Sequence, residues 1–168
     1  MKKQLFLDIT KQYQGIVFNI CNSIVMNHED AYDLSQEVFL KAWLTESFCT
    51  KEFFHKAWLI KVSRNLSLNF KRDWKRSILK LFDFGSYQKS YTEFESTLEK
   101  KESLEFITKA LSEMSLIDRQ VLSLKYFADL SYTEISKELG IAEGTVMSRL
   151  SRSKKKLMLK LEGEFDER

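Results

Sequence analysis

Residues 131–161 carry the pattern that most restricts how this chain can fold: two helical stretches joined by a tight glycine turn. Ser131 followed three positions later by Glu134 matches a capping box, which predicts a helix that begins there. Gly140 can supply the positive φ that ends this helix, and a second helix is expected from about Glu143. The pair has the layout of a helix-turn-helix, whose second helix enters the major groove of DNA.

The second of these helices separates apolar from basic residues. At about 100° per residue, one arc of its surface holds Val146, Leu150, Leu157 and Leu161. A separate flank holds Thr145, Arg149, Arg152, Lys156 and Lys160. We interpret the arc as the packed face and the flank as a face for an anion. An ordinary αα-hairpin with a solvated basic face would show the same charges, so that alternative stays open at this point.

Helical periodicity also runs through the first half of the chain, and no segment shows the alternation that is typical of a strand. Apolar residues recur three or four positions apart over 4–26, which predicts a first helix. Asn27 can cap a second helix that ends near Leu44. A third helix is expected from about Phe53 to about Arg76.

The helical pattern decays after the third helix. Residues 83–101 are rich in Ser, Thr and Glu without a clean apolar face, which is typical of a tether. A new helical unit begins near Leu104 and leads into the helix-turn-helix. We therefore predict an all-α fold with two small helical domains, 1–80 and 104–168, joined by a flexible linker at 81–103.

The predicted third helix has a basic face of its own. Its apolar arc holds Leu59, Val62, Leu66 and Phe70. Its polar arc holds Trp58, Lys61, Arg64, Asn65, Asn69, Arg72 and Arg76. Amides that can bond to bases and a ring that can stack on an unpaired base favour nucleic acid as the partner of this arc. We expect Trp58 to be exposed, whereas Phe53 and Phe54 could equally belong to the core.

Charge is distributed unevenly along the chain, although the net charge is only +3. Residues 55–80 hold eight basic residues against one acidic residue, whereas residues 27–52 hold six acidic residues against two basic ones. This asymmetry predicts one polyanionic partner and at least one other binding surface.

No motif in the sequence indicates catalysis or a resident metal. Cys21 and Cys49 lack CxxC spacing, so neither a disulfide framework nor a zinc site is expected, and a reducing compartment fits. His28 and His55 have no partners at a useful spacing, and there is no glycine-rich phosphate loop. Residues 12–27 form an uncharged run that is too short and too polar to span a bilayer. We expect a cytoplasmic protein without enzyme activity, cofactor, metal or membrane insertion.

Three stretches of the sequence resemble the bacterial sigma-70 family of RNA polymerase subunits. They are HEDAYDLSQEVFLKAWL (28–44), FHKAWLIKVSRNLSLNFKRDWKR (54–76) and LSYTEISKELGIAEGTVMSRLSRSKKKL (130–157). Their order, their spacing and the size of the chain are similar to those of the extracytoplasmic-function group. The resemblance implies a sigma factor that binds core RNA polymerase, recognises the minus-thirty-five and minus-ten promoter elements and promotes strand opening.

The resemblance also implies a role for each surface. The polymerase-binding residues would be Asp33, Gln36 and Glu37. The polar arc of the third helix would hold the melted minus-ten strand, although the family commonly has Asp where this chain has Asn69. The helix that reads the minus-thirty-five element would use Thr145, Ser148, Arg149, Arg152 and Lys156. The implied partners are core polymerase, double-stranded and melted promoter DNA, and an anti-sigma factor, which small members commonly have.

Two other functions stay open from the sequence. A plain helix-turn-helix regulator with a helical effector or dimerisation domain would not need the polar arc of the third helix, and it should dimerise. A helical adaptor that binds only proteins would leave both basic faces unexplained. Size-exclusion chromatography tests the first alternative, and a pull-down with core polymerase together with a DNA-binding assay tests the second.

Overall fold

The computed structural model describes residues 2–50, 53–82 and 107–166, with helix side chains described as far as residue 73 in the second range and residue 160 in the third. Every regular element in these ranges is helical, in agreement with the predicted all-α class. The predicted linker, 81–103, lies outside the described residues except for its first two positions, which belong to a helix.

The N-terminal part consists of three long helices and one short turn of helix. They are α1 (Lys2–Val25), α2 (His28–Leu44), a 3-10 helix (Glu46–Cys49) and α3 (His55–Phe82). Asn27 caps α2 as predicted, because its side chain accepts a hydrogen bond of 2.9 Å from the backbone N–H of Asp30. The third helix runs six residues beyond its predicted end, since no glycine or proline interrupts the sequence before Gly85.

The buried side of α3 differs from the predicted apolar arc. Leu59 is buried, but the other three members of that arc are only partly buried. The fully buried positions include Ser63 and Ser67, which adjoin the Cys21 thiol on α1. Small side chains at these positions allow the two helix backbones to approach closely, and the Ser63 hydroxyl is satisfied by the carbonyl of Leu59 at 2.7 Å.

The C-terminal part contains the predicted helix-turn-helix. Residues 107–112 are helical and are followed by α4 (Leu116–Tyr126), α5 (Tyr132–Leu139) and α6 (Glu143–Asp166). Ser131 and Glu134 form the predicted capping box at the start of α5, and Gly140 ends that helix with a φ of 66°. These two local predictions are confirmed.

The N-terminal and C-terminal parts pack against each other, which the sequence did not indicate. Ile24 of α1 and Ile60 of α3 lie in the same buried cluster as Val121 of α4 and Ile135 of α5. Arg119 is only 6% exposed, and its Nε donates to the carbonyl of Ser23 on α1 at 2.8 Å. A hydrophobic core and a buried cation therefore join the two parts.

Candidate nucleic-acid and polymerase interfaces

The helix-turn-helix is held together by the residues that the sequence predicted to face inward. Val146 and Leu150 of α6 are buried in the cluster that contains Ile135 of α5. Leu157 is half-buried, and the side chain of Leu161 lies outside the described residues. The packed face of α6 is therefore confirmed at its first two positions.

The most exposed face of α6 is rotated away from the predicted basic flank. Thr145 and Arg149 are half-buried, because this flank adjoins α4 and the end of the 107–112 segment. The exposed positions of α6 include Gly144, Met147, Ser148, Ser151, Arg152, Lys154, Lys155 and Lys156. Three predicted residues, Ser148, Arg152 and Lys156, lie among them.

Sequence reasoning missed five of these exposed positions: Gly144, Met147, Ser151, Lys154 and Lys155. A Cβ added at Gly144 would meet nothing within 4 Å, so the backbone of α6 is open to a ligand there. The signal was available in the sequence for Gly144, Ser151 and Lys155, since these three lie opposite the packed arc on a wheel of 100° per residue. The side of the wheel opposite the packed arc is therefore the part of the pattern that indicates the outward face of α6.

Arg149 joins α6 to the start of α4. Its Nη1 donates to the Asp118 carboxylate at 2.8 Å, and both side chains are about one third exposed or less. Lys156 reaches the carbonyl of Glu113 at 3.4 Å, and Lys160 forms an ion pair with the Glu113 carboxylate. Part of the predicted basic flank therefore holds α6 in position within the C-terminal part.

We expect Asp118→Asn to lower the free energy of unfolding by about 1–3 kcal/mol, because the substitution removes a charged hydrogen bond from Arg149. Burial acts to raise the pKa of Asp118, but hydrogen bonds from Ser115 and Arg149 outweigh it, and the pKa lies below its ordinary value of 3.8. The ionised Asp118 carboxylate therefore makes its full contribution to the free energy of unfolding above pH 3.8. This contribution is lost as the pH falls through the pKa that Asp118 has in the folded state.

Thermal melting of wild type and Asp118→Asn between pH 7 and pH 2 checks this expectation. The difference in melting temperature should be largest near neutral pH and should shrink in acid. A difference that stays constant down to pH 2 would show that the charge of Asp118 does not hold α6.

The polar arc of α3 is partly exposed and partly packed. Lys61, Asn65, Asn69 and Arg72 are exposed, and Arg72 donates to the Asn69 amide oxygen at 3.1 Å. Arg76 lies within α3, but its side chain is outside the described residues. The exposed members form a polar strip along α3 that can meet a nucleic-acid strand.

The expected exposure of Trp58 is wrong. Its half-buried ring packs edge-on against Phe48, with 5.2 Å between the ring centroids, and against Phe53 at 6.1 Å. The chain before α3 folds back over the start of the helix, where a ring nitrogen of His55 lies 2.6 Å from the carbonyl oxygen of Phe48. Phe54, at 83% exposure, is the aromatic side chain that this segment presents outward.

Arg64 is also on the predicted strand-binding arc, but it contacts the C-terminal part. Its side chain is 12% exposed and forms an ion pair with Glu138 of α5. Its Nη1 also donates to the backbone carbonyl of Glu138 at 2.6 Å, and its Nη2 donates to the Gln120 amide oxygen at 3.3 Å. Arg64 is thus held by two helices of the C-terminal part.

The candidate polymerase surface on α2 is exposed as the sequence suggested. Asp33, Gln36 and Glu37 lie on its outer side, whereas Phe39 belongs to the core. The same side also presents apolar side chains that sequence reasoning missed: Tyr32, Leu40, Trp43 and Leu44, which are 40–70% exposed. An apolar patch rimmed by acidic groups is typical of a surface that binds another protein.

Two kinds of feature are absent from the described part of the chain. Among these residues, no helix combines the length and the apolar character needed to cross a bilayer. Within the same ranges, no three His, Cys, Asp or Glu side chains are grouped so that they could hold a metal ion.

Comparison with known proteins identifies both parts of the chain. Residues 9–77 match the family model of Sigma-70 region 2, and residues 105–157 match that of Sigma-70, region 4. The ECF RNA polymerase sigma factor SigL of Mycobacterium tuberculosis is 34% identical over 156 residues, which cover 90% of this chain and 85% of SigL. SigM of Bacillus subtilis, also an ECF RNA polymerase sigma factor, is 28% identical, with 89% and 91% covered.

Solved structures support the same assignment. The sigma factor RpoE of Bartonella quintana, in complex with the anti-sigma factor NepR, has a TM-score of 0.72 and 25% identity, and the match covers 94% of this chain and 96% of RpoE. The fold of CnrH, solved with the cytosolic domain of CnrY, matches with a TM-score of 0.62 at 20% identity, covering 94% and 88%. Both family regions occur in order, and a relative that is 34% identical is matched along most of both chains. The protein therefore belongs to the sigma-70 family, in its extracytoplasmic-function group of RNA polymerase sigma factors.

Proposed function

We propose that this chain binds core RNA polymerase through α2, holds the melted minus-ten strand on α3 and reads the minus-thirty-five element with α6. The observation that carries the proposal is the separation of these surfaces: an acidic and apolar patch on α2, and exposed basic and polar residues on α3 and α6. The chain acts as an initiation factor, and bond formation belongs to the polymerase. Its place of action is the cytoplasm, where that partner works.

In vitro transcription tests the whole proposal. The purified chain is added to core RNA polymerase with a library of genomic fragments as template, and the transcripts are mapped. Start sites that share two upstream elements are the expected result. A lack of specific transcripts, together with a dimer in size-exclusion chromatography, would favour the plain regulator instead.

The outward face of α6 supports the reading of double-stranded DNA. Ser148 and Arg152 are exposed there beside Ser151 and Lys155, so hydroxyl and cationic donors point away from the core. Arginine that bonds to guanine with two hydrogen bonds discriminates between bases. Arg149 acts behind this face through its contact with Asp118.

We expect Arg152→Ala to weaken promoter-directed transcription by about 1–3 kcal/mol, or roughly 5- to 150-fold. The fold should survive, since the described hydrogen bonds of Arg152 are made to Ser148 of its own helix. Transcription titrated against protein concentration measures the effect. Lys11→Ala removes an exposed positive charge from α1 and is the matched control. Wild-type transcription by Arg152→Ala would remove this residue from the reading face.

The exposed strip of α3 supports contact with an unpaired strand. Lys61 and Arg72 can meet phosphates, and Asn65 and Asn69 can bond to base edges. Phe54 offers an exposed ring for stacking at the start of the helix, whereas Trp58 would have to leave its contacts with Phe48 and Phe53 before it could stack on a base.

We expect Glu37→Lys to weaken binding to core polymerase roughly tenfold. The partner of an acidic docking surface presents positive charge to it, and the new lysine would be repelled by that charge. The affinity of the free chain for DNA should remain largely unchanged. Competition for core polymerase against labelled wild-type chain measures the first quantity, and fluorescence anisotropy measures the second. Asp8→Lys makes the same charge change on α1. Normal polymerase affinity with altered DNA binding would instead assign α2 to the DNA.

An anti-sigma factor is a further proposed partner. The structure of the similar RpoE was solved with such a protein, NepR. The match covers 94% of this chain and 96% of RpoE, which supports the proposal of a similar kind of partner for this chain. Affinity purification of a tagged copy of this chain from its host cells, with identification of the proteins that co-purify, tests the expectation.

A further inference from the structure

The outward face of α6 carries, at one edge, an apolar side chain that the core does not use. Met147 is 51% exposed and belongs to neither of the two apolar clusters of the described residues. Its exposed neighbours Ser148, Ser151 and Lys155 carry hydroxyl and ammonium groups. Single exposed apolar residues are common on protein surfaces, so the position of Met147 decides what its exposure means.

That position is the part of α6 that would meet base edges. Met147 is near the start of α6, and the N-terminal residues of a recognition helix contact bases in the major groove. On a wheel of about 100° per residue, Met147 and Arg152 lie about 140° apart, with Ser148 and Ser151 between them. Residues about three positions apart on such helices contact successive bases. Met147 and Arg152 would therefore contact base pairs within about two steps of each other.

The major groove offers one apolar substituent to a side chain at this place. Guanine, adenine and cytosine present hydrogen-bonding groups there, whereas thymine adds its C5 methyl group. A methionine thioether has no donor and accepts only weakly, so it cannot distinguish the polar groups of the bases. Its unbranched chain adapts readily to an apolar neighbour. The thymine methyl group is therefore what Met147 is suited to recognise.

The helix backbone beside Met147 is open to a close approach. Gly144 lies one turn earlier and about 60° away on the wheel, and a Cβ added there would meet nothing within 4 Å. Gly144 is helical and its φ is not positive, so its conformation does not require glycine. Alanine would favour the helix more. A glycine at this place leaves room for the groove wall to approach the start of α6.

We propose that Met147 is a specificity-determining residue: its side chain packs against the C5 methyl group of a thymine in the minus-thirty-five element, and Gly144 allows the close approach. This inference rests on the proposed role of α6. It places an A·T pair within about two steps of the G·C pair that Arg152 would contact.

Uracil scanning tests the methyl contact. Uracil pairs with adenine as thymine does but lacks the methyl group, so each thymine of the mapped element is replaced in turn, on either strand. Filter binding measures the affinity of polymerase carrying this chain for the labelled promoter fragment. One replacement should weaken wild-type binding about fourfold, the size of one buried methyl group. Met147→Ala should bind the unmodified fragment at least about fourfold more weakly than wild type and lose nothing further on that uracil.

Met158→Ala is the matched control for this scan. It removes the same side chain from a position that is 48% exposed and lies about 16 Å further along α6. It should bind like wild type and keep the uracil effect, and Met147→Leu should keep part of that effect. The proposal is overturned if no replacement weakens wild type, or if wild type and Met147→Ala lose equally on the same uracil.

Gly144→Ala tests the close approach, with Gly15→Ala as its control. Gly15 is also helical and exposed, and a Cβ there would likewise meet nothing within 4 Å, but it lies on α1. Neither variant should melt below the wild-type temperature. Only Gly144→Ala should weaken promoter binding, by a factor of several. Promoter binding by Gly144→Ala at the wild-type level would remove Gly144 from the contact.

The outcomes separate this inference from the proposed function. If polymerase with the wild-type chain gives no specific transcripts, the proposed function fails and the thymine contact fails with it. If transcripts map to a shared upstream element while Met147→Ala keeps the wild-type response to every uracil, the function stands and the contact of Met147 fails.

Discussion

Replacing Arg119 by alanine is expected to lower the free energy of unfolding by about 3–5 kcal/mol, because one buried and two partly buried carbonyl oxygens lose their donor. The guanidinium donates to the carbonyls of Ser23 at 2.8 Å, Met114 at 2.7 Å and Leu111 at 3.4 Å. Burial lowers the pKa of Arg119 from its ordinary value, but an arginine keeps its charge in proteins. The guanidinium thus donates hydrogen bonds both to the carboxyl end of α1 and to the carboxyl end of the 107–112 segment and the turn that follows it.

Urea denaturation followed by circular dichroism measures this loss. Arg72→Ala removes an exposed arginine from α3 and should change the unfolding free energy by less than about 0.5 kcal/mol. Arg119→Lys keeps the charge but loses the planar fork, so its stability should lie between those of wild type and alanine. Equal stability of Arg119→Ala and Arg72→Ala would mean that water replaces the guanidinium at these carbonyls.

Replacing Phe48 by alanine is expected to cost about 3–5 kcal/mol, the usual loss for a buried aromatic residue. Phe48 is fully buried, and its ring contacts those of Phe53, His55 and Trp58 at centroid distances of 5.0–5.3 Å. The cavity would lie beneath the start of α3. The substitution should therefore also loosen the segment that presents Phe54.

Phe54→Ala is the matched control, because it removes the same ring from a position that is 83% exposed. Its unfolding free energy should stay within about 0.5 kcal/mol of wild type. Phe48→Leu, which leaves a smaller cavity, should fall between the two. A small loss for Phe48→Ala would show that the aromatic cluster can collapse into the vacated space.

Local signals predicted the helix ends well. Asn27, the Ser131 capping box and Gly140 each act through bonds within a few residues, so their patterns could be found in a short stretch of sequence. The packed positions Val146 and Leu150 were also predicted, because periodicity on a single helix identifies one face. The family resemblance then supplied the domain order, which the two family matches bear out.

Contacts between distant segments could not be predicted in this way. Arg64 looked like a surface residue on the helical wheel of α3, but Glu138 lies 74 positions away in sequence. Trp58 was placed on a polar arc, yet rings from the preceding segment cover it. Arg149 shares a flank with Arg152, and only the position of α4 shows that Asp118 reaches it. In each case the deciding neighbour comes from another element, which periodicity does not reveal.

The bond from Arg119 to Ser23 spans 96 positions of the chain, and this has a consequence for synthesis on the ribosome. At about 5–20 residues per second, roughly 5–20 s pass between the two residues. During that time Ile20 and Ile24 lack the α4 side chains that bury them in the finished protein. The carboxyl end of α1 therefore remains an exposed apolar segment of the nascent chain, open to chaperones, until α4 has been synthesised.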